Sequence, residues 1–271
     1  MMPAAPNRPP TESWDDADAY DRYVGRWSRV IGADFLEWLD VPPGRRWLEL
    51  GCGTGALSAA IVQRCRPSHL LGVDRSPAYV AAAAERVGGE RVSFVVADVA
   101  TLQLEHETFD CITSGLVLNF LRDPSAVLAR VSGALARGGQ LSAFVWDYAG
   151  HYQPMRHFWS AARAVRPDAE RLDPAARFTL CREDELRELF ASLGLADVEV
   201  RSIERVATFR RFDDYWDPIT RGQGSVSELM ARLTPDETMR LRDRLRDRLP
   251  IARDGAIKLV ISALAVKGVR A

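Results

Sequence analysis

From residue 46 to residue 147, strand-like and helix-like segments alternate, and no other feature of the 271-residue chain constrains its fold as tightly. RWLEL (46–50), HLLGVD (69–74), RVSFVVAD (91–98), FDCITSG (109–115) and QLSAFVWD (140–147) read as strands. They are largely apolar on successive positions, so both of their faces are to be covered. ALSAAIVQRC, AYVAAAAERV and SAVLARVSGALA read as the helices between them. Thr54, Ser76-Pro77 and Asp123-Pro124 serve as helix starts, and Gly138-Gly139 as a stop. Buried strands joined through single helices predict a parallel sheet with right-handed crossovers and helices on both sides.

The flanks read differently. A helix is expected from Ser13 through residues 14–40, stopped by Pro42, Pro43 and Gly44. After residue 147 come a mixed aromatic stretch with a helix at 154–165, a helix at 182–193 ended by Gly194, and a long strand at 197–209. Residues 211–250 are helical, with Thr234-Pro235-Asp236-Glu237 as a capping box. A last strand follows at 256–268. Two strands separated by a helical insert predict an antiparallel pair at the end of the sheet. Residues 1–13 are proline-rich and polar and are expected to be a disordered tail, without the apolar stretch of a secretion signal. One domain over 14–271 is expected, with a core at 45–147 and helical lids at 14–40, 148–180 and 211–250.

Thirty-six basic and 37 acidic residues leave a net charge of −1, which gives no electrostatic ground for bulk nucleic-acid binding. Arg240, Arg242, Arg244, Arg246 and Arg248 do cluster, but Asp243 and Asp247 interleave with them as on a solvated, ion-paired helix. Cys52, Cys65, Cys111 and Cys181 are too scattered for a CxxC zinc or redox pair, so buried reduced thiols in a cytoplasmic protein are expected. No apolar run approaches the roughly 18 residues of a membrane span.

The turn after the first strand, LELGCGTGA, carries the functional signal. Gly51-x-Gly53-x-x-Ala56 fits the alanine-ended dinucleotide fingerprint. Gly51-x-Gly53-x-Gly55, with Glu49 two residues ahead, fits something other than a dinucleotide, because a pyrophosphate favours helix amides without a nearby carboxylate. Glu49 also reads as a strand-end acid paired to an arginine. Asp74, ending the second strand, suits ribose hydroxyls or a helix cap, and Asp98, ending the third, reads by itself as a turn aspartate.

WLELGCGTG, GVD, VVADV, FDCITSGLVLNFL and LARGGQLSAF, in this order, resemble the class I S-adenosylmethionine-dependent methyltransferases. The nearer likeness is to the small-molecule branch of ubiquinone/menaquinone-type and natural-product enzymes, and it covers residues 20–147. The resemblance implies a Rossmann-like, doubly wound α/β sheet of about seven mostly parallel strands, the last antiparallel, with helical lid insertions. It implies S-adenosylmethionine as cofactor, held by Glu49, Gly51, Cys52, Gly53 and Gly55 around the methionine part, and by Asp74 and Arg75 at the ribose. Asp98 and the Val99 amide are implied at the adenine, Ser114 under the pocket, and Asn119, with Phe120, in a segment bordering the methyl group. Tyr20 and Arg26 are implied in a covering helix, Arg26 being preferred over Tyr20 for the methionine carboxylate, with core packing or a surface position as the plain alternative.

Methyl transfer is an in-line displacement from an activated leaving group, so alignment and a dry cavity are the main demands. A base is needed only for an acceptor protonated at neutral pH. His151 is the candidate, with a surface-loop histidine as its plain alternative; His157, Tyr148 and Tyr152 lie nearby. Trp14, Trp27, Trp159, Trp216, Phe158, Phe212 and Tyr215 in the lids suit either a planar, small-molecule acceptor or the lids' own core. No metal, membrane or nucleic-acid partner is expected, and the state is monomer or homodimer. Two alternatives stay open: a nicotinamide-dependent reductase, weakened because Lys258 and Lys267 are the only lysines and no Tyr-x-x-x-Lys occurs, and a repurposed protein that binds the cofactor without methylating.

Overall fold

The computed structural model describes residues 25–271. Tyr20, Trp14 and the tail lie outside them, as does the first part of the 14–40 segment. Seven strands form one sheet in the order β3-β2-β1-β4-β5-β7-β6. β1 (Arg46–Leu50), β2 (His69–Asp74), β3 (Val92–Val96), β4 (Phe109–Gly115) and β5 (Leu135–Trp146) run parallel. β7 (Ile257–Val269) lies antiparallel between β5 and β6 (Ala196–Phe209). The winding reverses between β1 and β4, which opens a crevice at their carboxyl ends.

α1 (Arg26–Leu39), α2 (Ala56–Cys65) and α3 (Pro77–Val87) precede β1, β2 and β3; α4 (Pro124–Ser132) precedes β5. Beyond β5 come α5 (Gln153–Val165), the single turn α6 (Pro174–Arg177) and α7 (Glu183–Ser192). Between β6 and β7 lie α8 (Phe212–Thr220), α9 (Ser225–Arg232) and α10 (Pro235–Arg248). The sheet separates two apolar clusters. One gathers Phe35, Trp47, Ile61 and Phe144 with the aromatic residues of α5 and α8. The other gathers Leu48, Ile112, Val131 and Phe190.

Capping follows the sequence at three helices. Ser76 accepts from the Tyr79 amide, Asp123 from the Ala126 amide, and Thr234 and Glu237 close a reciprocal capping box. Two expectations are corrected. Thr54 does not cap α2: left-handed Gly55 opens that helix, and the Thr54 hydroxyl accepts from Arg86 Nη1 instead. Gly138-Gly139 does not close α4, which ends at Ser132. The chain turns at Gly133 and enters β5 at Leu135. Gly138, at φ +71°, kinks the strand, and the pair is held by Gly138 N to Arg270 O and Arg270 N to Gly139 O. Pairing to the last strand's extension overrides the local stop signal.

Gly72 shows how tightly the parallel strands seat the site. A Cβ there would stand 2.5–2.6 Å from the Phe94 ring and 3.1 Å from Cys52 Cβ. Gly72→Ala is expected to lower stability by about 1–3 kcal/mol in urea melts, through overpacking beneath the loop at residues 51–55. An unchanged midpoint would contradict this packing.

Candidate active site

β1 delivers Glu49 and Leu50, both buried, to the crevice. The chain then turns through Gly51, Gly53 and Gly55, all left-handed at φ +72°, +51° and +79°. A side chain in that region is strained, which is why three glycines recur at this spacing. A Cβ at Gly51 would also overlap Val117, so the loop and the segment after β4 are in direct contact. Leu116, carrying Val117, itself holds φ +64°, a strained conformation for a leucine.

The loop is tied to β2. The amides of Gly51 and Cys52 donate to Val73 O at 2.7 and 3.0 Å. Asp74 Oδ2 accepts from the Gly53 amide at 2.9 Å, and Oδ1 from the Ser76 amide at 2.9 Å. Each carboxylate oxygen keeps a further lone pair for a ligand. Arg75 beside it is exposed.

Glu49 is 1% exposed. Ser58 Oγ donates to it, and among the described residues it has no basic partner, so the alternative of a strand-end acid paired to an arginine finds no partner there. Burial pushes its carboxyl up to about 8, with Ser58 opposing and Asp74 adding to the rise. Burial likewise raises the Cys52 thiol, with Glu49 and Asp74 contributing, so Cys52 packs as a neutral thiol rather than a nucleophile. Asp98 is exposed, its Oδ1 accepting from the Ala100 amide at 2.8 Å, and Val99 is buried. Ser114 Oγ donates to Leu50 O at 3.1 Å, locking β4 to β1 at the crevice. Asn119, in the 3-10 turn Leu118–Phe120, is only 6% exposed, and its amide has no hydrogen-bond partner among the described residues.

Beyond Asn119 follows a chain of packed rings. Phe120 meets Phe178 edge-on at 5.4 Å, Phe178 meets Tyr148 at 6.0 Å, and Tyr148 meets Tyr152 at 5.7 Å. Tyr152 stacks on Trp146 at 4.6 Å. Sequence reasoning missed Trp146 and Phe178. Trp146, at the carboxyl end of a buried strand, carried the only signal. The lid aromatics Phe158, Trp159, Phe212, Tyr215 and Trp216 are buried in the lids themselves, so for them the core reading holds. Trp27 instead stands edge-on to Phe209 at 5.9 Å.

The structure gathers Glu49, the glycines, Asp74, Ser114 and Asn119 at the crevice and sets His151, His157 and Arg26 apart. His151 is exposed. Its amide donates to Asp147 Oδ2 at 2.6 Å, and its Nδ1 lies 2.8 Å from Glu204 Oε1 on edge strand β6. His157 is half-buried near Arg248 and Arg156; burial, then those charges, push its pKa down. Arg26 stands 4.5 Å over the Trp27 ring and 5.2 Å over Phe209, on the β6 side. Burial pushes its pKa down, and Asp214 and Tyr152 oppose this. No group of three metal-ligating side chains and no helix long and apolar enough to cross a membrane occurs among the described residues.

A family profile described as a methyltransferase domain matches residues 48–143, from β1 into β5. The chain is 32% identical over 202 residues to trans-aconitate 2-methyltransferase of Methylobacterium radiotolerans, covering 74% of this chain and 75% of that one. It is 28% identical over 179 residues to demethylmenaquinone methyltransferase of Roseiflexus castenholzii, covering 61% and 74%. Its fold is similar to Haemonchus contortus phosphoethanolamine N-methyltransferase 2, solved with phosphomonomethylethanolamine and S-adenosylhomocysteine. The TM-score is 0.58, at 18% identity over 94% of this chain and 57% of that one. These relatives remove the nicotinamide reductase alternative. The chain belongs to the class I S-adenosylmethionine-dependent methyltransferases of the small-molecule branch, and it transfers the cofactor's methyl group to a small-molecule acceptor.

Proposed function

We propose that the cofactor's adenosine lies across the carboxyl ends of β1, β2 and β3, with its ribose hydroxyls on Asp74 and its adenine at Asp98 and the Val99 amide. Its methionine part then lies over Gly51–Gly55, beside Cys52, with its ammonium toward Glu49. The observation that carries this reading is a fully buried carboxyl, Glu49, with no basic partner among the described residues, directly beneath three left-handed glycines and beside Asp74. The residues fit such a ligand: the Cβ-free turn admits close backbone approach, Glu49 awaits a cation, and the Asn119 amide awaits a polar partner.

The bound sulfonium supplies an activated methyl group. The chain's own residues then align and enclose. Asn119 and Phe120 border the acceptor, and the rings from Phe120 to Trp146 exclude water from it. The described part of the 14–40 segment, from residue 25, and the segments at 148–180 and 211–250 roof this chamber. An acceptor protonated at neutral pH needs a base, and the His151 candidate stands exposed beside Glu204 of β6, outside the ring wall. The net charge of −1 and the four buried, unpaired cysteines support a cytoplasmic enzyme without a nucleic-acid partner, acting as monomer or homodimer.

Asp74→Ala is expected to raise the dissociation constant of S-adenosylhomocysteine roughly tenfold to a few hundredfold in calorimetry, with an unchanged circular dichroism spectrum. Unchanged affinity would reject the ribose role. Glu49 gives a second test. Its folded-state pKa, about 8, lies above the ordinary carboxyl value of 4.5, so the native protein holds a proton that the unfolded chain has released. Ligand-free stability therefore falls as pH rises between those values. Glu49→Gln removes this slope, so the Tm advantage of the variant over wild type is expected to be larger at pH 9 than at pH 5. An advantage that shrinks with rising pH would contradict the buried, protonated state.

A further inference from the structure

β6 forms one edge of the sheet, runs for 14 residues and pairs with β7 alone. The bonds of β7 show which backbone groups of β6 face outward. The Val260 amide donates to Gln153 Oε1 at 2.7 Å, and Ser262 O accepts from the Asp147 amide at 3.0 Å, so the even-numbered residues of β7 point toward β5. Its odd-numbered residues therefore serve β6, where they stand opposite Arg201, Ile203, Arg205 and Ala207. Val200, Ser202, Glu204 and Val206 turn their amides and carbonyls away from the sheet. Among the described residues, the one partner on this outer edge is the Arg205 guanidinium, which donates to Glu204 O at 3.2 Å. The strand holds neither the proline nor the lysine by which such edges are commonly blunted.

There is room beside this edge, and its charges are ordered. A cavity of about 360 Å³ opens between α1 and residues 201–205, with Asp34, Glu37 and Trp38 on its helical wall. On this face Glu199 lies 3.6 Å from Lys267 Nζ and Arg205 Nη2 lies 2.7 Å from Asp34, yet each side chain stays more than half exposed. A second β6, added antiparallel about a two-fold axis normal to the sheet, keeps each face on its own side. Odd residues then oppose odd, and even oppose even. With Ser202 opposite itself, Glu199 of each copy stands opposite Arg205 of the other, at positions without ladder bonds, where side chains come closest. Val206, 62% exposed, then stands opposite Val198. Neighbouring registers fail. Centred on Arg201 or Glu204 they set like charges face to face, and centred on Ile203 they set Arg201 against Arg205. Centred on Val200, the pairing runs across the bulge between Ala196 and Glu199.

We propose that two copies of this chain join through their β6 edges, antiparallel about Ser202, so that one sheet continues through both subunits. The two Glu199–Arg205 pairs set the register, and each copy covers the other's cavity between α1 and β6. This edge lies four strands from β1 in the order β1-β4-β5-β7-β6, so the dimer does not depend on where the cofactor binds.

Light scattering on the full chain across a dilution series tests this. Wild type is expected to show twice the 30.2 kDa chain mass when concentrated and to fall toward the monomer on dilution. Arg205→Glu sets an acid against Glu199 and is expected to raise the dimer's dissociation constant at least about tenfold. Adding Glu199→Arg restores opposite charges in the same register, and the double variant is expected to return to within about threefold of wild type. Ser202→Pro gives a second route. Its amide faces outward, so the variant keeps the β7 ladder and loses a bond to the other copy, again with at least about tenfold weakening. Unchanged circular dichroism spectra show that the variants are folded; if Arg205→Glu is not, Ser202→Pro is read alone. A wild type that stays monomeric at every concentration overturns the proposal, as does a dimer that withstands Ser202→Pro or Arg205→Glu. A dimer that Arg205→Glu dissolves and the charge swap does not restore overturns it too, because the register is then wrong.

Discussion

The bond from the Gly53 amide to the Asp74 carboxylate is the constraint on which the rest depends. It joins the turn after β1 to the end of β2, and it holds only because three glycines accept left-handed geometry while Gly72 lets Phe94 and Cys52 close beneath. With the turn fixed, Leu50 O is placed for Ser114, β4 is locked at the same height, and the strained Leu116–Val117 step packs on Gly51. Cofactor cradle and acceptor border are therefore one mechanical unit, built around the point where the sheet's winding reverses.

Electrostatics divides the crevice in two. The β1–β2 half is acidic: Glu49 is buried and protonation-prone, and Asp74 lies at its side. The β5–β6 half carries the ring-clamped Arg26. A base is needed only for an acceptor protonated at neutral pH, and the His151 imidazole stands in solvent beside Glu204.

The cradle was legible in the sequence because it is local. LELGCGTG, GVD and VVADV each place a strand end and its functional residue within a few positions, and the strand-helix rhythm ordered them. What escaped was tertiary. The start of β5 was hidden because Gly138-Gly139 reads as a helix stop until Arg270 pairs with it. Thr54 read as a cap until Gly55 took the left-handed position. The wall draws Phe120, Trp146, Tyr148 and Phe178 from three segments, and no periodicity links them. The lid aromatics gave the opposite error margin: numerous and conspicuous, they divide between filling α5 and α8 and facing the cleft, a distinction only burial can make.

The most direct measurement is a crystal structure of the chain grown with S-adenosylhomocysteine. The account predicts ribose hydroxyls within hydrogen-bond reach of Asp74, the amino group on the Glu49 side, and the sulfur aimed past Asn119 toward the rings of Phe120 and Tyr148. A nucleoside bound elsewhere, or a sulfur directed toward β3 and away from the ring wall, would contradict it.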